Sequence, residues 1–89
     1  MKVNAKVVVR NPVGLHLRAA AELIDLEKKY RCKIWIKKGI ELVNARSILC
    51  LLQLAAVFGT ELNFIFDGDD AMDAMDAIQT FFTNTLNLF

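Results

Sequence analysis

The chain of 89 residues has few of the residues that build metal centres and disulfide frameworks, and it lacks the long apolar run of a membrane span. It has one histidine and two separated cysteines, Cys32 and Cys50, so Cys and His ligands cannot form a tetrahedral zinc site. We expect no metal and two buried thiols. No apolar run reaches the roughly 18–20 residues that span a bilayer, and the N-terminus lacks the apolar core of a signal peptide. We therefore expect a cytoplasmic protein without membrane contact.

Positive charge is missing from the second half of the chain. All eleven Lys and Arg residues lie between Lys2 and Arg46 together with four acids, whereas six acids and no Lys or Arg occur from Ser47 onward. The two parts carry +7 and −6. Two interpretations stay open: folding interleaves the charges into an ordinary solvated surface, or a basic face forms near the histidine and suits anionic partners.

The hydrophobic pattern predicts a single domain, residues 1–89, in which strands alternate with helices. The predicted elements, in chain order, are strand Lys2–Arg10, helix Leu17–Tyr30, strand Cys32–Lys37, strand Ile40–Val43, helix Ser47–Ala55, strand Glu61–Asp67 and helix Ala71–Leu86, followed by a frayed end, Asn87 to Phe89. One-sided patterning of the strands indicates an α+β fold, in which the helices cover one face of an antiparallel sheet. The other face, with Lys33, Trp35 and Lys37, would be open to solvent.

The segment Asn11–Ala21 contains the only histidine and the only proline. His16 directly precedes the first turn of a predicted helix, where unpaired backbone N–H groups and a partial positive charge favour anions. An imidazole nitrogen in this position can attack an electrophilic phosphorus. The backbone N–H groups of Leu17 and Arg18 and the Arg18 guanidinium would then hold the phosphate oxygens. Gly14 allows close approach of the backbone.

Ser47 begins the second predicted helix as its N-cap residue, where a phosphate on the serine would be electrostatically favoured. That helix is apolar nearly all round, so a two-layer domain cannot bury both of its sides. We expect Ile48, Leu49 and Leu52 to form an exposed side that protein partners contact. The alternative is that some of these residues pack under a loop.

Two segments, Asn11–Ala20 and Val43–Leu49, resemble the two signatures of the HPr phosphocarrier family of the bacterial phosphoenolpyruvate-dependent phosphotransferase system, with matching spacing. The resemblance implies that family's open-faced β-sandwich, β-α-β-β-α-β-α, with a four-stranded antiparallel sheet and three helices on one face. It also implies that His16, beside Arg18, takes a phosphoryl group on Nδ1 from phosphorylated enzyme I and passes it to an enzyme II A-type domain. The protein would be a monomeric relay rather than a stand-alone catalyst, and it would need no cofactor and bind no nucleic acid.

By the same resemblance, Ser47 matches a serine that a dedicated kinase phosphorylates in some bacteria to regulate carbon use. A serine kinase/phosphorylase and transcriptional regulators therefore join the expected partners. The apolar surface that such partners contact is matched by Ile48, Leu49 and Leu52. Ala19 stands where sugar-transport members usually have proline and is similar to nitrogen-related members, so sugar transport and nitrogen regulation both stay open. Cys50 stands where a glycine is common.

Two other functions are compatible with these residues. A regulatory interaction protein would respond to phosphorylation of Ser47 while His16 stayed idle, although such a protein has no use for the histidine–arginine pair. An RNA- or metabolite-binding module would use the open sheet with Lys33, Trp35 and Lys37, where a single aromatic side chain offers a small stacking platform.

Overall fold

Strands and helices alternate in the order that the sequence predicts. The computed structural model describes residues 1–86, and the expectation for Asn87 to Phe89 lies outside this range. The elements are β1 Lys2–Val8, α1 Leu17–Glu27, β2 Lys33–Lys38, β3 Glu41–Asn44, α2 Ile48–Gln53, β4 Glu61–Asp67 and α3 Ala71–Thr80, which continues as a π-helical turn, Phe81–Thr85. Differences from the predicted bounds are confined to the ends of elements.

The four strands form one antiparallel sheet in the order β1-β4-β2-β3. β4 lies inside the sheet and pairs with both β1 and β2, so that Asp67 faces Lys2 on one side and Lys33 on the other. A tight turn with Gly39 at φ +60° connects β2 to β3. The expected open-faced β-sandwich, with three helices and a four-stranded antiparallel sheet, is confirmed.

The core lies on one face of the sheet, because alternate residues of each strand point to the same side. β4 contributes Leu62, Phe64 and Phe66, all fully buried, and the rings of Phe64 and Phe66 stack with centroids 5.9 Å apart. Phe82, from the turn after α3, packs against Phe64 at 5.5 Å. These contacts hold the last helix on one face of the sheet. The side chains on the opposite face of the sheet are mostly exposed.

The loop between α1 and β2 is bound to the turn between β4 and α3. The Asp70 carboxylate accepts hydrogen bonds from the backbone N–H groups of Arg31 (2.7 Å) and Cys32 (2.9 Å), and these bonds lower the pKa of Asp70. Burial, reinforced by Asp70, raises the pKa of the Cys32 thiol to about 11. The expected burial is confirmed for Cys32, whereas Cys50 is only half-buried.

α1 ends at Glu27 rather than at the predicted Tyr30. The hydrogen-bond spacing changes there from four residues to three. The Lys29 N–H donates to the Leu26 carbonyl, and the Tyr30 N–H donates to the Glu27 carbonyl. The Arg46 guanidinium then donates to three carbonyls at this helix end: Glu27 at 2.9 Å, Tyr30 at 2.8 Å and Cys32 at 2.7 Å. One arginine side chain therefore ties the end of α1 to the segment that precedes α2.

The side chain of Glu27 is fully buried, which the helical pattern did not predict. Within residues 1–86 neither of its carboxyl oxygens has a hydrogen-bond partner. Burial raises the pKa of Glu27 to about 8, and the positive charge of Arg46 opposes this rise only in part. The fold therefore encloses a carboxyl group that is mainly protonated at neutral pH.

Candidate functional site

A closed turn before α1 fixes the segment that carries the histidine. The side chain of the buried Asn11 donates to the Gly14 carbonyl at 2.7 Å, and the Gly14 N–H donates to the Asn11 carbonyl at 3.1 Å. Gly14 has φ +75°, and a Cβ there would lie 2.6 Å from the carbonyl oxygen of Ala56. The Leu15 N–H donates to that same oxygen at 2.9 Å. Only glycine fits this turn, which is bound to the segment after α2.

His16 is the N-cap residue of α1, with an extended backbone (φ −80°, ψ 179°). Its carbonyl oxygen accepts the first hydrogen bond of the helical ladder, from the Ala20 N–H at 2.8 Å. The N–H groups of the first turn therefore point out of the helix end. The half-buried imidazole makes no capping bond to this helix. Its position next to the beginning of α1 agrees with the sequence-based prediction.

Leu17 and Arg18 form the first turn of α1, and both side chains are exposed. The helix end offers amide donors and a partial positive charge, and a guanidinium belongs to the same turn. An imidazole, amide donors and a cation are thus brought together within three consecutive residues. Such a set of donors has the charge and hydrogen-bonding groups to bind a tetrahedral anion.

Exposed apolar side chains lie beside this helix end. Val13, Leu17, Val57 and Phe58 are each 63–64% exposed, and we call them the apolar rim. The Cα atom of Val57 lies 3.1 Å from the Cβ position of Gly14, which places the loop after α2 against the histidine segment. The sequence analysis missed this rim. The sequence did contain a signal for it, because Val13, Val57 and Phe58 are large apolar residues next to the glycines and the proline of predicted loops.

Ser47 is the N-cap residue of α2, as predicted. Its Oγ accepts from the Cys50 N–H at 3.3 Å, and its own N–H donates to the Asn44 carbonyl at 3.1 Å. α2 has six residues, so it is about 9 Å long. The His16 segment is bound to Ala56, beyond the C-terminal end of α2, whereas Ser47 lies at the N-terminal end. The two candidate residues therefore adjoin opposite ends of this helix.

The exposed apolar side of α2 is narrower than predicted. Leu49 is 67% exposed, whereas Ile48 and Leu52 are half-buried and pack against the core. The opposite side, with Leu51, is fully buried. The exposed apolar surface of α2 therefore centres on Leu49.

No group of three or more His, Cys, Asp or Glu side chains within residues 1–86 is arranged to hold a metal ion. Over the same residues, every helix is too short or too polar to cross a membrane.

An open-faced sandwich with a histidine at the start of its first helix is the architecture of a histidine-containing phosphocarrier domain. The family model described as the PTS HPr component phosphorylation site matches residues 3–84. The chain is 39% identical over 83 residues to the phosphocarrier protein HPr of Xylella fastidiosa strain 9a5c, with 92% of each chain covered. The crystal structure of HPr-C-His from Thermoanaerobacter tengcongensis superposes with a TM-score of 0.89 at 27% identity over 94% of each chain.

A third relative is much longer. The multiphosphoryl transfer protein of Haemophilus influenzae is 34% identical over 79 residues, which cover 85% of this chain and 16% of that protein. The chain belongs to the HPr family of phosphocarrier proteins of the phosphotransferase system.

Proposed function

We propose that the chain acts in the cytoplasm as a one-domain phosphoryl relay. His16 accepts a phosphoryl group from phosphorylated enzyme I, for which phosphoenolpyruvate is the ultimate donor, and passes it to an enzyme II A-type domain. The observation that carries this proposal is the position of His16 as the N-cap residue of α1, followed within the same turn by Arg18. Similarity to a multiphosphoryl transfer protein also supports transfer between protein domains.

Each transfer exchanges one bond to phosphorus for another. A ring nitrogen of His16, Nδ1 by family resemblance, bonds to phosphorus while the bond between phosphorus and the donor breaks. The amide donors of Leu17 and Arg18 and the Arg18 guanidinium stabilise the charge on the three oxygens. In the onward transfer, a group of the acceptor domain bonds to phosphorus while the bond between phosphorus and the His16 nitrogen breaks. The phosphoramidate conserves the transfer potential, so the relay needs no metal and no cofactor of its own.

Docking to both partners uses the apolar rim together with the exposed part of α2. Leu49 provides the largest exposed apolar side chain of that helix, with Ile48 and Leu52 contributing their outer parts. A relay must release each partner after transfer, which suits a small and transient interface between a monomer and each partner.

Phosphorylation of Ser47 by a serine kinase would regulate this docking. A phosphate adds about 1.5–2 negative charges at the N-terminal end of α2, two residues from Leu49. Arg46, its neighbour in the chain, already donates to three carbonyls and cannot neutralise the phosphate without giving up those bonds. The modified surface would therefore repel an acidic partner and attract a regulator with a basic site.

Incubation with phosphoenolpyruvate and enzyme I tests the relay. We expect an acid-labile, base-stable phosphate on the wild type and none on His16→Ala, whose fold is checked by circular dichroism. Arg18→Ala should slow transfer, whereas Lys28→Ala, at the other end of the same helix, should not. Lack of label on the wild type would overturn the relay in favour of a regulatory protein with an idle histidine. Transfer onward to sugar-type or nitrogen-type A domains identifies the branch.

Incubation with a serine kinase and ATP tests the regulation separately. We expect an acid-stable label that is lost in Ser47→Ala. Ser47→Asp should slow transfer from enzyme I, and Ser47→Ala should not. Equal transfer rates for both variants would show that charge at this position does not affect docking.

A further inference from the structure

The solvent-facing side of the sheet carries an arrangement of charge that the relay does not use. Alternation along β1 and β2 directs Lys2, Lys6, Lys33 and Lys37 to this side, and all four are exposed. Trp35, the only tryptophan, lies among them and is 37% exposed. We call this side of the sheet the open face.

The strand register places the four lysines at the corners of a rectangle. Lys2 and Lys33 flank Asp67 on opposite sides of β4, and Lys6 and Lys37 flank Asn63 in the same way. Two strand spacings separate the members of each pair by about 10 Å, and four residues along a strand separate the pairs by about 13 Å. Trp35 lies opposite Ile65, halfway between the pairs. The row between the pairs, Asn4, Ile65 and Trp35, therefore forms a largely apolar platform enclosed by four cations.

These cations are not neutralised by ion pairs. Within residues 1–86 the only ion pair joins Lys28 and Asp25 on α1, at 3.5 Å. Asp67 lies between two lysines in the register and forms an ion pair with neither. With Glu61 it provides the two carboxylates of the open face, which leaves positive charge in excess.

A cleft of about 250 Å³ opens beside the platform, where β3 ends. Its lining includes three cations, Arg31, Lys33 and Arg46, together with the Trp35 indole and the Asn44 amide. The Arg46 guanidinium already donates to three carbonyls, so Arg31 and Lys33 are the cations left for a ligand. Asn44 faces Trp35 across the β2–β3 ladder. The amide can hydrogen-bond a planar ring that stacks on the indole, and the cations can bind a phosphate at its edge.

We propose that the open face binds a short segment of single-stranded nucleic acid. One base stacks on Trp35, a phosphate occupies the cleft near Arg31 and Lys33, and the strand continues across the platform towards Lys6 and Lys37. This ligand uses both the cations and the indole, because each nucleotide supplies a phosphate and an aromatic ring. The proposal goes beyond the relay and departs from the sequence-based expectation of no nucleic acid.

Fluorescence anisotropy of a labelled eight-nucleotide oligouridine, titrated with the full chain, tests the proposal. We expect saturable binding at 50 mM salt, with a slope of log K against log[salt] of roughly −3 for four phosphate contacts. Lys33→Gln with Lys37→Gln should weaken binding at least tenfold and reduce that slope by about half. Lys28→Gln with Lys29→Gln removes the same charge from the two residues that follow α1 and should change little. Trp35→Leu should weaken binding about tenfold.

Three results would overturn the proposal. The first is no binding by the wild type at millimolar concentrations of the protein in low salt. The second is an equal loss for the two double variants, which would indicate attraction to net charge only. The third is competition by polyglutamate as strong as by oligouridine, with Trp35→Leu unaffected, which would assign the face to acidic proteins. His16→Ala should bind the oligouridine like the wild type, so this test and that of the relay fail independently.

Discussion

The buried carboxyl of Glu27 makes a quantitative prediction about stability. The unfolded chain ionises this group at about its ordinary pKa of 4.5, whereas burial raises the pKa in the folded state to about 8. The folded protein therefore binds more protons than the unfolded one between these values, and its stability must fall as the pH rises. Glu27→Gln replaces the acid with a neutral side chain of nearly the same shape and should remove this dependence.

The size of the effect follows from the two pKa values. Each unit of separation corresponds to about 1.4 kcal/mol. Between pH 5 and pH 9 the wild type should lose about 4 kcal/mol of its free energy of unfolding relative to Glu27→Gln. The free energy of unfolding of a domain is typically about 5–15 kcal/mol, so a loss of about 4 kcal/mol is a large part of it.

Urea unfolding at pH 5, 7 and 9 measures this difference. With an m-value of about 1–2 kcal/mol/M, the urea midpoint of the wild type should fall by roughly 2–4 M relative to the variant. Other titrating groups are common to both proteins, so the comparison isolates Glu27. Glu22→Gln, on the exposed side of the same helix, is the control and should follow the wild type. Parallel stability curves for the wild type and Glu27→Gln across this range would refute the reasoning.

Three further predictions concern the turns, the arginine and the thiols. Gly14→Ala should destabilise the fold by more than Gly39→Ala in thermal unfolding. Both glycines have positive φ, which costs an alanine about 1–2 kcal/mol, but only at Gly14 does the added Cβ also meet a neighbouring atom. Equal losses of stability would contradict the contact with the Ala56 carbonyl. Arg46→Met should cost about 3 kcal/mol by urea unfolding, since three carbonyls lose a charged donor; a loss below about 0.5 kcal/mol would show that these bonds contribute little. Iodoacetamide should modify Cys50 far faster than Cys32, because raising the pKa from 9.0 to about 11 lowers the thiolate fraction about 100-fold; equal rates in a mass-spectrometric time course would contradict the burial of Cys32.

The order of the elements could be predicted because each has a clear hydrophobic period. In β4, Leu62, Phe64 and Phe66 alternate with polar residues, and all three face the core. The position of His16 was equally predictable, because a glycine and a proline end the preceding strand and an alanine-rich helix follows. Local sequence signals determine these features, so they can be recognised without coordinates.

The features that the sequence did not reveal depend on contacts between distant parts of the chain. Burial of Glu27 depends on how α1 packs against its neighbours, and the pattern of one helix carries no information about it. The bonds from Arg46 to the end of α1 join residues 14 to 19 positions apart. The apolar rim combines Val13 with Val57, which belong to two loops that the bond from the Leu15 N–H to the Ala56 carbonyl joins. Such pairs follow from topology rather than from periodicity.

The place of β4 inside the sheet has a consequence for synthesis of the protein. β1 leaves the ribosome before the other strands of the sheet, but its strand partner within residues 1–86 is β4, in which Asp67 pairs with Lys2. A nascent chain that ends before Glu61 can form helix α1 and the β2–β3 hairpin, but β1 then has nothing to pair with. Assembly of the complete four-stranded sheet must therefore wait until β4 has been synthesised, and β1 stays unpaired until then.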